Sequence, residues 1–259
     1  MHLTDHDQTV LRSFTTQAAQ YAAASVVTDA DRIRRLLETV KPHPEARVLD
    51  VATGSGVVAM AFAQHTRDVI GVDLTQAVLK LAENARQAQG LSQLRFEIAH
   101  AEQLPFEDGG FDLVVCRFAF HHFLHPGKVL HEMTRVCRNG GMVVVEDLIS
   151  SDHQARANFQ NAVERLRDPS HVAALSVRAL LEHFTEAGLE LERLSTGYII
   201  QTVKHWLEVA HTPSNDAAEV SRLILEDASR DSSVLNGFNT LENDWQFVQR
   251  TCTMVALKL

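Results

Sequence analysis

Two acids and a glycine turn stand where they could hold a nucleoside. In VLDVATGSG, residues 48–56, an apolar run carries Asp50 and then breaks into Thr53-Gly54-Ser55-Gly56. In IGVDL, residues 70–74, a second apolar run ends in Asp73, 17 residues after Gly56. Glycines let backbone amides approach a ligand closely, and a helix opening at Gly56 aims its positive end at an anionic group. A carboxylate closing the second strand can accept both hydroxyls of a ribose. Asp50, set inside its own strand, is placed to meet an ammonium group. The piece GSGVVA at 54–59 also fits G-x-G-x-x-A, the dinucleotide pattern, which is weakly specific by itself. Ordinary strand–turn–helix packing would use the same residues.

The elements that must position these residues repeat as strand, then helix. ARVLDVA (46–52), DVIGVDL (68–74), LRFEIAH (94–100), FDLVVCR (111–117) and GMVVVEDL (141–148) read as strands. VVAMAFAQH (57–65), TQAVLKLAENARQAQ (75–89) and PGKVLHEMTRVCR (126–138) read as helices. Thr75 suits an N-cap and Gly90 a stop, while Asn139-Gly140-Gly141 ends the third helix. Val129, Leu130, Met133, Val136 and Cys137 share one face of that helix. Such alternation predicts a parallel sheet with helices on both faces, its strands buried on both sides. Residues 4–40, free of glycine, read as two helices. Beyond residue 150 the rhythm breaks: 151–172 is polar and helical, and 176–188 is a helix running into a sixth strand at 189–198. Helices follow at 205–211 and 218–230, then a long closing strand at 245–259.

Composition narrows the function classes. The 259 residues carry a net charge of −9 with no Lys/Arg cluster, which argues against nucleic acid as a partner. The arginines of DRIRRLL, 31–37, are spaced as one solvated helix face. No run approaches the roughly 18 apolar residues of a membrane span. The opening MHLTDHDQTVLRSF has neither the basic nor the apolar region of a secretory signal. Cys116, Cys137 and Cys252 form neither a metal-ligand spacing nor an even disulfide framework, so a reducing cytoplasm and no metal are expected.

VLDVATGSG, GVDL, AEQLPFEDGGFDLVV and LHEMTRVCRNGGMVVVED, in that order, resemble the successive motifs of class I S-adenosylmethionine-dependent methyltransferases. The nearest group is the ubiquinone/menaquinone-biosynthesis C-methyltransferases and their small-molecule relatives. The resemblance covers residues 45–150, more weakly 10–44 and 163–190. It implies an α/β fold: a Rossmann-like seven-stranded sheet, mostly parallel with the last strand antiparallel, flanked by helices and a small helical cap. The expected domains are that cap, residues 1–40, and a methyltransferase domain, 41–259, with a substrate-side helical insertion near 151–175 and helices at 203–231.

Roles follow from the resemblance residue by residue. Asp50 and the turn Ala52, Thr53, Gly54, Ser55 and Gly56 would hold the amino acid end of S-adenosylmethionine. Asp73 would bind the ribose, Leu74 would lie against the adenine, and Ala101 and Glu102 at its edge. Arg117 and Phe118 would border the methionine part and the acceptor. Outside the resemblance, Tyr21 and Phe14 in the N-terminal helices could close the pocket from the other side or serve simple packing. The chain departs from the family at His100, where an acid usually accepts from the adenine amino group; a histidine can do so only when neutral. Ala52 and Thr53 stand where glycine, and cysteine or glycine, are more usual.

The implied reaction is methyl transfer to a small-molecule acceptor by in-line displacement. It calls for a base only when the nucleophile carries a tightly held proton. His121 and His122, just beyond the fourth strand, are candidates for that base, or cap the strand. Glu146 and Asp147 could orient the acceptor or satisfy loop amides. Around the turn Asp168-Pro169-Ser170, Arg167, Asp168 and His171 are candidate acceptor-binding residues, or a self-contained turn. Phe118, Phe120 and Phe123 suit a hydrophobic or aromatic acceptor and also suit core packing. Three other readings compete. A nicotinamide-dependent oxidoreductase lacks its Tyr-x-x-x-Lys pair, since Thr202 follows Tyr198 and Ser25 follows Tyr21 at that spacing. A cofactor-binding module without catalysis would bind the donor and turn nothing over. Arsenite methylation would need thiols that converge. A homodimer is left open, with the closing strand as the edge a second copy would cover.

Overall fold

The computed structural model describes residues 3–229, 234–235, 238–239 and 245–259. Helices α1 (Asp5–Ala23), α2 (Ser25–Thr28) and α3 (Ala30–Val40) precede the sheet. Then β1 (Arg47–Val51), α4 (Val57–Ala63), β2 (Asp68–Asp73), α5 (Gln76–Ala88), β3 (Leu94–Ile98), β4 (Phe111–Arg117), α6 (Pro126–Val136) and β5 (Cys137–Ser150) alternate. A single 3-10 turn, Phe120–His122, follows β4. The remainder is α7 (Gln154–Arg167), the short β6 (Leu175–Ser176), α8 (Val177–Glu186), β7 (Leu189–Thr202), α9 (Val203–Val209), α10 (Ser214–Ala228), the short β8 (Phe238–Asn239) and β9 (Trp245–Lys258).

Seven of these strands line up in the order β3-β2-β1-β4-β5-β9-β7. Pairing is parallel from β3 to β5, and β9 runs antiparallel to both β5 and β7. Strand order therefore reverses between β1 and β4, and the crevice beyond their carboxyl ends is where an open α/β sheet binds its ligand. Alternate residues of each strand serve opposite faces. Leu49, Val51, Ile70, Val114 and Val143 pack with Leu130, Met133 and Val136 of α6 and Leu180 and Phe184 of α8. Val48, Val69, Leu113, Val115 and Val144 pack with Leu36 and Val40 of α3 and Val58, Ala59 and Phe62 of α4. A third core joins Val163 of α7, Val203 and Trp206 of α9, Val220 and Ile224 of α10, and Phe247 of β9. It anchors the C-terminal helices at the Trp206–Phe247 edge contact, ring centres 4.6 Å apart.

Several expectations need correction. Residues 4–40 form three helices, not two, because Ala24 is extended (φ −63°, ψ 135°) and the Asp29 side chain then caps α3 by accepting from Arg32 N–H at 3.0 Å. Asn139-Gly140-Gly141 does not end α6, which stops at Val136. The tripeptide loops out inside β5, where the register to β4 slips between Phe111 and Leu113. Thr75 sits at the N-cap of α5 but makes no side-chain capping bond. The closing strand is internal, and β7 is the edge. Residues 1 and 2 of the expected cap, and residues 230 and 231 of the expected helical stretch, lie outside the described residues.

Close approach of β2 to the glycine turn sets one test of this packing. A Cβ on Gly71 would come 2.7 Å from the Phe96 ring and 2.8 Å from Thr53 Oγ1. Gly71→Val is therefore expected to lower stability by about 1–3 kcal/mol through overpacking, read as a lower urea midpoint; an unchanged midpoint would contradict the packing described.

Candidate active site

The turn after β1 is locked from two sides. Asp50, 1% exposed, accepts from Thr53 Oγ1 at 2.6 Å and from Ala59 N–H of α4 at 3.1 Å, so it ties the turn to the helix it opens. Asp73, at the end of β2, accepts from Gly54 N–H at 2.9 Å and from Thr75 N–H at 2.8 Å. Gly56 begins α4 at φ 79°, and a Cβ there would sit 2.5 Å from the Phe96 ring. Ala52 and Phe118 also adopt positive φ, 55° and 53°. Left-handed backbone costs a non-glycine residue roughly 1–2 kcal/mol, and here both such residues flank the same crevice. Ser55 Oγ is buried beside the turn with no hydrogen-bond partner among the described residues.

A cavity opens above this floor. Ala52, Gly54, Asp73, Leu74, His100, Ala101, Glu102 and Phe118 line it, and α1 roofs it with Asp7, Phe14 and Tyr21. The Tyr21 ring lies over the turn, where a Cβ on Gly54 would come 3.3 Å from it. Burial pushes the Tyr21 hydroxyl up to about 12, so it stays a neutral donor. Asp50, Thr53 and Arg117 line a smaller recess that also includes Tyr21, Ala52 and Phe118. Ser55 and Gly56 line neither; they shape the turn.

His100 lines the cavity with its ring held inside the protein. Its Nδ1 accepts from Glu102 N–H at 3.1 Å, which leaves Nε2 to donate to Asp7 at 3.1 Å. Both nitrogens are engaged within the protein, and the acid that the motif lacks arrives instead from α1. Asp7 is also the third residue of a capping box with Thr4. Burial pushes its carboxyl up, but the bonds from Thr4 and His100 outweigh that and hold it below its ordinary value.

A second cavity adjoins the first and shares Phe14, Tyr21, Phe118 and His122 with it. Val26, Val27, Leu148, Trp206 and Val209 supply its apolar walls, and Gln17, His121, Arg167, Asp168, Gln201 and Gln249 its polar points. Arg167 and Asp168 are thus brought to it, while His171 stands behind, bonded through Nε2 to Asn161 Oδ1 at 2.8 Å. Phe120 is buried in the core against Phe123, away from the acceptor side; only Phe118 of the three aromatics reaches this second cavity. Glu146 lines neither of these two cavities, and among the described residues its carboxylate accepts from no loop amide. It bridges Arg32 at 3.1 Å and Arg117 at 3.4 Å, and Arg117 donates onward to the carbonyls of Val26 and Val27. Asp147 accepts from His121 Nδ1 at 2.5 Å.

Sequence reasoning missed Asp7, Gln17, Trp206, Gln201 and Gln249. Gln17 and Asp7 were legible only as polar positions of an amphipathic helix; the last three lie on strands and helices far along the chain. Burial gives one pH-dependent property. Taken out of water, Asp50 rises from 3.8 to about 7 despite its bonds from Thr53 and Ala59 and the nearby Arg117. Its proton is held in the folded chain and released near 3.8 in the unfolded one. It therefore contributes stability below that value which is lost as pH rises through about 7. Relative to Asp50→Asn, the ligand-free protein should lose on the order of 4 kcal/mol at most across this window, taking about 1.4 kcal/mol per pKa unit. Urea midpoints between acid and neutral pH check this, and a difference that is flat with pH would contradict it.

Comparison with known proteins places the chain. Residues 49–145 match the family model of a methyltransferase domain. The uncharacterized methyltransferase YcgJ of Bacillus subtilis is 30% identical over 207 residues, which span 80% of this chain and 82% of that one. The crystal structure of YcgJ superposes with a TM-score of 0.82 at 26% identity, over 87% of this chain and 97% of the other. A demethylmenaquinone methyltransferase of Thermus thermophilus is 37% identical over 114 residues, 43% of this chain and 51% of that enzyme. The chain thus spans about half of that relative, and its likeness there is to a shared core. Among the described residues no helix is long and apolar enough to cross a membrane. A chain that matches YcgJ over most of its length, and keeps the family's carboxylate and glycine turn where strand order reverses, belongs to the class I S-adenosylmethionine-dependent methyltransferases.

Proposed function

We propose that the larger cavity receives S-adenosylmethionine and that the second receives a small-molecule methyl acceptor, so that transfer takes place where the two meet. The observation that carries this reading is the shared wall of Phe14, Tyr21, Phe118 and His122. The floor fits the donor: Gly54 lines the cavity with bare backbone beside Asp73, and in the turn beneath it Ser55 Oγ has no partner among the described residues. Asp73 would hold the ribose, since its carboxylate closes β2 at the edge of the glycine turn and lines the cavity. Leu74, Ala101 and Glu102 would border the adenine, with Asp7 in place of His100 as the acid beside it. Asp50, Thr53, Ser55 and Arg117 would surround the amino acid end.

When bound, the donor supplies a methyl carbon on a positive sulfur, already activated for displacement. What the chain must add is alignment and the exclusion of water. Phe14, Tyr21 and Phe118 provide apolar surface at the junction, and Arg117 bolts the α2 backbone over it through Val26 and Val27. The acceptor would be small and in large part apolar, given the lining by Phe14, Val26, Leu148, Trp206 and Val209. Cys116, Cys137 and Cys252 are buried free thiols, which supports a reducing compartment for the reaction.

Calorimetry with S-adenosylhomocysteine tests the donor site. Asp73→Asn keeps the size of the side chain but removes the charge-assisted bonds, worth about 1.5–3 kcal/mol. The Kd should rise roughly ten- to hundredfold; unaltered affinity would remove Asp73 from the ribose.

A further inference from the structure

We propose that the Asp147–His121 pair is the general base of the acceptor chamber, and that the acceptor presents an ionisable hydroxyl on a flat, uncharged ring. This rests on reading the second cavity as the acceptor site. The pair is fixed in orientation. One Asp147 oxygen takes the His121 Nδ1 proton at 2.5 Å and also accepts from Leu148 N–H, and the other accepts from His121's own N–H at 3.2 Å. The imidazole therefore turns Nε2, with its lone pair, away from the carboxylate. His121 lines the cavity, and among the described residues Nε2 has no protein partner.

The surroundings decide between the two adjacent histidines, whose ring centres are 4.2 Å apart. His122 bonds Ser170 through Nδ1, and burial together with the neighbouring His121 pushes it down to about 4. His121 is lowered by burial too, but Asp147, with Glu164 and Asp168 further off, outweighs that and raises it. The groups around the pair are Asp147 from β5, Glu164 and Arg167 from α7, Asp168 and His171 after it, Tyr21 from α1, and His122 beside it. A proton arriving in the chamber goes to His121, and His122 stays a neutral wall.

The ligand chemistry follows from which polar groups are already used. Arg167 donates to Trp206 O at 3.1 Å and stacks on the Trp206 ring, and Asp168 accepts from Ser170 N–H and Oγ. Gln249 is held by Glu164 and Gln201. Arg167 and Asp168 line the cavity with opposite charges close enough to influence each other, so the lining offers a charged acceptor little net charge to pair with. Gln17 is different: it is 2% exposed, it lines the cavity, and its amide has no protein partner among the described residues. Phe14, Phe118 and Trp206 offer ring faces and edges, Gln17 a polar contact for a second substituent, and His121 Nε2 an acceptor for the hydroxyl. In the transfer the O–H bond breaks with its proton going to Nε2, the O–CH3 bond forms, and the methyl–sulfur pair returns to sulfur.

The test titrates 4-nitrophenol into protein saturated with S-adenosylhomocysteine, at a pH below the phenol's own pKa, and reads the phenolate absorbance band. The bound probe should show the phenolate band in the wild type. His121→Gln should bind it as the neutral phenol. Asp147→Asn, which keeps an oxygen toward Nδ1, should move the midpoint of the band to a pH at least one unit higher. A neutral phenol in the wild type, a band that survives His121→Gln, or an unmoved midpoint in Asp147→Asn would overturn the base. Absence of probe heat in a complex that still gives S-adenosylhomocysteine heat would overturn the hydroxylated-ring class. Absence of S-adenosylhomocysteine heat would overturn the donor reading itself.

Discussion

Everything at this site hangs on the reach of one carboxylate across two strands. Asp73 leaves β2 and accepts from Gly54 N–H in the turn after β1, while Thr53 N–H donates to Val72 O at 2.9 Å. The turn can therefore move only if β2 moves, and β2 is paired on both sides in the sheet. Asp50 then fastens the same turn to α4. A floor defined by three elements, each packed in the core, presents the same backbone groups to every ligand, which is what placement of a reacting carbon requires.

The roof is held by different means. Arg117 and Arg32 share the buried Glu146, and Arg117 carries the α2 backbone on its two Nη groups. A buried ion triad of this kind is weak evidence for stability, because desolvation offsets much of the attraction. Its consequence here is geometric, since it fixes where the N-terminal helices cross the ends of β4 and β5. The positive φ of Phe118 belongs to the same arrangement. Its ring is covered by the Arg117 guanidinium at 4.5 Å and it faces both cavities, so the strain is retained at the point where donor and acceptor would meet.

The parallel half of the sheet was legible because its strands are buried on both faces and read as unbroken apolar runs, and FDLVVCR matches β4 end to end. The turn, Asp50 and Asp73 were legible as acids and glycines at the ends of apolar runs, and the fold brings them together where strand order reverses. What escaped was contributed by tertiary approach. Nothing local marks Gln17 as facing a cavity, or brings Trp206 and Gln249 to it from the far end of the chain. The bond from His100 to Asp7 escaped because the two lie 93 positions apart in sequence. The loop inside β5 escaped because Asn-Gly-Gly is equally good chemistry for stopping a helix and for a bulge.

A crystal structure of the complex with S-adenosylhomocysteine tests the central claim most directly. The account predicts the ribose hydroxyls on Asp73, the adenine between Leu74 and Ala101 with Asp7 near its amino group, and the sulfur at the wall shared by Phe14, Tyr21, Phe118 and His122. Density for the nucleoside anywhere other than above the glycine turn, or a ribose without contact to Asp73, would contradict it.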